Sequence, residues 1–136
     1  MRRIAERASD DDLGRPIDEG WTVATSFAHI AFWDRITSAR WKAILAGESL
    51  QDTLRFPPGA IDWTNEAASP QWSALPRRAA AEDALRAAEE LDHLIERLPA
   101  WAIEQAKAHD RPGMFDRTRH RGQHLDRIEQ VLGPPG

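Results

Sequence analysis

The clearest hydrophobic pattern in the chain lies toward its C-terminal half. Ala84, Ala88, Leu91, Ile95 and Leu98 recur at steps of four and three, the spacing that lines up one face of an α-helix. Glu82, Asp83, Arg86, Glu89, Glu90, Asp92, Glu96 and Arg97 fall mostly on the other side. The pattern predicts an amphipathic helix from Pro76 to Leu98, ended by Pro99. A second helix is predicted from about Trp21 through Ile44-Leu45, stopping near Gly47. Thr22 suits its N-cap, and Asp18 and Glu19 place negative charge just before its N-terminus. The last helix is expected to open at Pro112-Gly113 and to end at Gly133-Pro134-Pro135, with Ile128 and Val131 on its inner face.

The remaining segments are less regular. Met1 to about Ala8 suits one or two turns of helix, and Asp10 to Gly20 reads as a loop. Residues 47–75 contain the helix breaker Pro57-Pro58-Gly59, with room for a short helix within Asp62–Gln71. Ala100–His109 could form another short helix. A connection as long as 47–75 is unusual without a purpose, and one purpose is to let the helices on either side run parallel. The expected fold class is all-α, in one domain spanning residues 1–136.

Composition narrows the function. The net charge of −4 argues against nucleic acid, whose partners carry a basic patch. No apolar run reaches membrane-spanning length, and Met1-Arg2-Arg3-Ile4-Ala5-Glu6-Arg7 lacks the apolar core of a signal peptide, so a cytoplasmic location is expected. There is no cysteine, which removes disulfides, thiolate ligands and a protein thiol nucleophile. Any thiol chemistry would need a small-molecule thiol. The six tryptophans read as core and pocket walls.

The candidate chemistry is carried by histidine. His120 and His124 stand four apart and project side by side, because a helix turns about 100° per residue. His29 sits among Thr25, Ser26, Phe32, Trp33 and Ile36, on a mostly apolar face where burial favours the neutral, metal-binding imidazole. Three converging imidazoles make a divalent-metal site. The competing reading is a solvated pair plus a hydrogen-bonded core histidine. The zinc-protease motif is absent, since Arg121 stands where that motif needs Glu. His93 and His109 read as surface or capping residues. Arg117 and Arg121 are candidates to hold a substrate carboxylate, or else lie on a solvated face with Asp116 and Asp126. Trp33 and Phe32 are candidate pocket walls, or else ordinary core. Asp34 and Glu66 are the candidate general bases.

Three segments together resemble the DinB/YfiT-like superfamily of metalloenzymes. They are Trp21-Thr22-Val23 with Ala28-His29-Ile30-Ala31-Phe32-Trp33-Asp34, then Asp62-Trp63-Thr64-Asn65-Glu66, then Arg119-His120-Arg121-Gly122-Gln123-His124-Leu125-Asp126-Arg127-Ile128. The resemblance implies a four-helix bundle with a long crossover between its second and third helices. It implies a divalent transition metal on His29, His120 and His124, with zinc or nickel foremost and iron, manganese or copper as alternatives. It also implies a homodimer, a small-molecule substrate, and a transferase or isomerase using a low-molecular-weight thiol such as mycothiol, bacillithiol or glutathione. One departure is the first helix, which is short here and would leave apolar surface for a partner subunit. The alternative function is a non-catalytic metal- or ligand-binding bundle with a stress-response or interaction role.

Overall fold

A computed structural model describes residues 1–18 and 20–134. Its described elements are overwhelmingly helical: α1 (Arg2–Arg7), α2 (Asp10–Leu13), α3 (Val23–Leu45), α4 (Leu50–Thr53), α5 (Ala60–Ala74), α6 (Arg77–Glu96), α7 (Ala100–Ala108) and α8 (Thr118–Leu132). Two short strands, β1 (Pro16–Asp18) and β2 (Trp21–Thr22), and a 3-10 turn at Pro112–Met114 complete them. Among the described residues no helix is long and apolar enough to cross a membrane.

The organising element is α3. Its N-cap is Thr22, whose hydroxyl accepts from the Thr25 amide. Every residue from Val23 to Ala31 is buried, so this half of the helix is surrounded rather than amphipathic. The chain leaves α3 through Gly47, whose φ of 107° suits glycine. The stripe on α6 packs against α3 along its length. Ala80, Ala81, Ala84 and Ala87 meet Ala24, Phe27, Ala28 and Ala31 in one core, and Leu91 meets Trp41 and Ile44 in a second. Sequence order rises together on both helices, so α3 and α6 run parallel, the relation that the long intervening connection permits. The small alanine side chains let the two backbones approach closely. Burying a residue such as Leu91 or Ile128 contributes about 1.5–3 kcal/mol.

Several local elements differ from the expectations. The segment read as a loop after Ala8 holds α2, started by a capping box in which Ser9 and Asp12 satisfy each other's backbone amides. It then forms a hairpin that pairs Pro16 with Thr22 and Asp18 with Trp21. Strands of two and three residues carry too little alternation for periodicity to detect. The hairpin reverses at Gly20, φ 80°, and sets Trp21 against the core. Glu19, expected to favour the start of α3, and Pro135, expected at the end of α8, lie outside the described residues.

The short helix expected within Asp62–Gln71 is longer, running from Ala60 to Ala74 with Pro70 inside. Proline there removes one backbone bond, yet the helix continues because Trp72 beyond it is buried against Trp21, His29 and Phe32. The last helix starts later than expected. Pro112–Met114 is a separate turn, and Asp116 accepts from the Thr118 amide to begin α8. The first helix is indeed short. Arg78 ties it down by donating to the Ala5 and Ala8 carbonyls at its C-terminal end.

Candidate metal centre

Helices α3 and α8 supply the histidines. His29 and His124 ring centroids are 4.5 Å apart, His29 and His120 are 5.5 Å apart, and His120 and His124 are 5.0 Å apart. One ring nitrogen from each lies within 4.8 Å of the others. The structure thus brings together the three histidines that the sequence singled out. Exposed His93 pairs with Glu96, and exposed His109 caps α7 beside Gln51; neither approaches the triad.

Burial sets the electrostatics. It pushes the His29 imidazole down to about 3 from its usual 6.5, with the other two histidines and Arg117 adding to the effect. Burial likewise brings His120 down to about 3, aided by Arg117, His124 and Arg121. His124 is lowered as well, first by burial and then by Arg127. All three are therefore neutral at pH 7, the state that donates a lone pair to a cation. His29 is wedged between Trp21 and Trp72, and its Nδ1 is buried with no hydrogen-bond partner among the described residues. A buried polar atom left unpaired costs about 1–3 kcal/mol. A bound ion or water at the triad would relieve that cost.

Of the two arginines at the start of α8, Arg117 lines the cleft and Arg121 does not, and neither pairs with Asp116 or Asp126. Asp116 instead begins α8 at Thr118, and the carboxylate shared by Arg117 and Arg121 is that of Asp34. Asp34 is fully buried, with Arg117 Nε donating at 2.9 Å to one oxygen and Arg121 Nε at 2.8 Å to the other. Arg121 continues to Asp92 at 2.8 and 3.0 Å and to the Ala88 carbonyl at 3.4 Å. It stands behind the site wall and does not line the cleft, a correction to its candidacy as a pocket residue. Asp34 is correspondingly not a free base. Each of its two oxygens accepts from a guanidinium, and Glu66 is exposed on α5 away from the cleft. Sequence reasoning missed this clamp. Its signal was an acidic residue on an apolar helix facing two arginines spaced four apart.

Arg117 also donates through Nη2 to His120 Nδ1 at 2.9 Å. That contact fixes the ring's orientation by engaging its Nδ1 lone pair.

The triad opens onto a cleft of about 840 Å³. Ser26, Trp33, Thr37 and Arg40 line it from α3, flanking His29 at helical spacing, and Arg117 lines it from the N-cap of α8. Trp33 holds its ring by donating from Nε1 to Asn65 at 2.9 Å. Phe32 is packed in the core instead. The donor set, its neutrality and the adjoining cleft fit a divalent ion with coordination positions left for water or a ligand. Compared with family models, curated proteins and solved structures, the chain matches none of them.

Proposed function

We propose that this protein is a divalent-metal enzyme acting on a small molecule, with His29, His120 and His124 as the metal ligands. The observation that carries the reading is the convergence of three neutral imidazole nitrogens within 4.8 Å in the wall of an open cleft. In this reading the short α1, α3, α6 and α8 form a DinB/YfiT-like four-helix bundle, the stretch between α3 and α6, which holds α5, being its crossover. The bound ion would supply Lewis acidity, bringing a water or a small-molecule thiol to ionise near neutral pH. The absence of cysteine is consistent with a borrowed thiol such as mycothiol, bacillithiol or glutathione. Zinc or nickel suits three imidazoles best, with iron, manganese or copper as alternatives.

The protein's own residues supply position. Trp21 and Trp72 box His29, and Trp33 walls the cleft beside it. Asp34 holds Arg117, and Arg117 holds His120, so the orientation of one ligand is set by a chain that starts in the core. For a cation to take the Nδ1 lone pair of His120, Arg117 must release it. The reading includes a homodimer in the cytoplasm, and the exposure of Ile61 and Trp63 is consistent with a covered surface.

A second reading is favoured by the locked state of Asp34, which leaves no free carboxylate base at the triad among the described residues: a non-catalytic metal- or ligand-binding bundle. The deciding experiment is elemental analysis of tag-free protein beside His124→Ala, followed by thiol-transfer assays. About one equivalent of metal lost in the variant, with thiol-dependent turnover, supports the enzyme. Bound metal without turnover leaves the second reading. No metal, and no thermal stabilisation by zinc, nickel or manganese, overturns both metal readings.

A further inference from the structure

The cleft is cationic in an acidic protein. Its walls carry four arginines, Arg40, Arg111, Arg117 and Arg127, against two aspartates, Asp18 and Asp110. Arg127 is paired with Asp18 at 3.1 Å, and Arg117 is held by Asp34. Arg40 and Arg111 have no carboxylate partner among the described residues. Arg40 is half-buried and stacks over the Phe56 ring at 4.8 Å. Its charged form is disfavoured by burial and by the neighbouring charges of Arg117 and Arg111. A partly buried guanidinium facing two others, with no anion to answer it, is unfavourable unless something else brings the anion.

The same wall is apolar between the arginines and the histidines. Phe56 lies 6.2 Å from Trp33, and Trp33 lies 6.4 Å from His29, so aromatic rings run without interruption from Arg40 to the triad. Arg40 stands eleven positions after His29, about three turns along the same face of α3, or roughly 16 Å between their Cα atoms. Arg40 thus springs from α3 about three turns beyond His29, with Phe56 and Trp33 between its guanidinium and that ring. Guanidinium binds carboxylate through two parallel hydrogen bonds, and aromatic walls with a few placed polar groups are the usual make-up of a small-molecule site.

We propose that Arg40 and Arg111 form a carboxylate-binding subsite, and that the cleft takes an extended organic acid with an apolar body. The carboxylate sits at the arginines, the body lies on Phe56 and Trp33, and the other end reaches the histidines. This rests on reading the cleft as a small-molecule site and names the class of molecule. It does not require the metal.

The test is calorimetric titration of the full-length protein, metal-free and zinc-loaded, with phenylbutyrate, phenylbutyramide and inorganic phosphate. The proteins are the parent, R40Q/R111Q, R111Q alone and His124→Ala. Phenylbutyrate should bind with a dissociation constant on the order of 1 mM or tighter. The amide should bind at least tenfold more weakly, a loss of about 1.4 kcal/mol. R40Q/R111Q should lose at least tenfold for the acid and nothing for the amide, with zinc content unchanged. R111Q, altered at an exposed position, should show a smaller loss in the same direction and guards against misfolding of the double variant. His124→Ala should lose zinc and keep the acid. Equal binding of acid and amide, indifference to R40Q/R111Q, or no binding of the acid at ~10 mM would overturn the subsite. Phosphate binding as tightly as phenylbutyrate would overturn the apolar half of the assignment. Failure of zinc to bind, together with arginine-dependent binding of the acid, would sink the metal reading and leave this subsite standing.

Discussion

Replacing Asp34 by Asn tests the clamp on which the site is built. Asp34 is wholly buried, and its two oxygens accept from Arg117 Nε at 2.9 Å and Arg121 Nε at 2.8 Å. The arginine side chains are only 10% and 13% exposed, so water cannot take over from the lost charge. Asn keeps the shape but offers one acceptor and turns an N–H toward a guanidinium. Breaking a buried ion pair from one side costs about 3–5 kcal/mol. For 136 residues, an unfolding entropy of about 2.1 cal/mol/K per residue makes each kcal/mol worth roughly 3.5 °C. D34N should therefore lower the melting temperature of the metal-free protein by about 10–17 °C. Arg121→Met should cost less, because Asp34 keeps Arg117. The same change made in the D34N background should cost at least about 1 kcal/mol less than in the parent, since its partner charge is already gone. Thermal unfolding followed by circular dichroism reads all four proteins. A fall of less than about 3 °C for D34N, or additivity in the cycle, would refute the clamp as a stabilising element.

Three further outcomes are expected. Metal-free protein should lose stability as pH falls below 6.5: the unfolded chain protonates His29 and His120 there, while the native rings, held at about 3, do not, giving a slope of up to about 1.4 kcal/mol per pH unit from each. Urea titrations at pH 7.5, 6 and 5 check this, and a flat profile refutes the burial of the rings. Zinc at one hundred times its dissociation constant should stabilise by about 2.7 kcal/mol, or roughly 9 °C, and His124→Ala should abolish the shift; an undiminished shift in the variant rules His124 out as a ligand. Trp21, Trp72 and Trp33 lie 5.0, 5.2 and 6.4 Å from the His29 ring, so copper(II) or nickel(II) should quench tryptophan fluorescence and zinc should not; quenching that survives His120→Ala with His124→Ala would place the ion elsewhere.

What the sequence disclosed and what it hid divide along physical lines. The helices α3 and α6 were legible because each repeats one strong signal over many turns: a Thr cap and a run of apolar residues in one, an apolar stripe in the other. The histidine geometry was legible because His120 and His124 share a helix face by spacing alone, and His29 stood on an apolar surface that had to turn inward. Short elements were not. The capping box at Ser9 and Asp12 and the hairpin at Pro16–Thr22 depend on single side chains and on a turn of only a few residues. The extent of α5 was hidden by Pro70, whose penalty is outweighed by burial of a tryptophan two residues later. Charge partners were the least legible. Nothing along the chain links Asp34 to Arg117 and Arg121, because their meeting depends on how α8 crosses α3. Asp116 and Asp126, nearer in sequence, were the natural but wrong partners.

That crossing also explains why clamp and triad occur together. Asp34 meets Arg117 and Arg121, whereas His29, five residues earlier on α3, meets His120 and His124, each three residues after one of those arginines. The two helices are thus antiparallel, and a single register brings both sets into contact. A slip of α8 by one turn would separate Asp34 from one arginine and His29 from one imidazole at once. The buried ion pair tolerates such a slip poorly, because either partner left alone in the core is far costlier than the pair. A histidine triad has no such aversion, since neutral imidazoles can find other neighbours. The register that satisfies the clamp is thus the register in which the histidines converge.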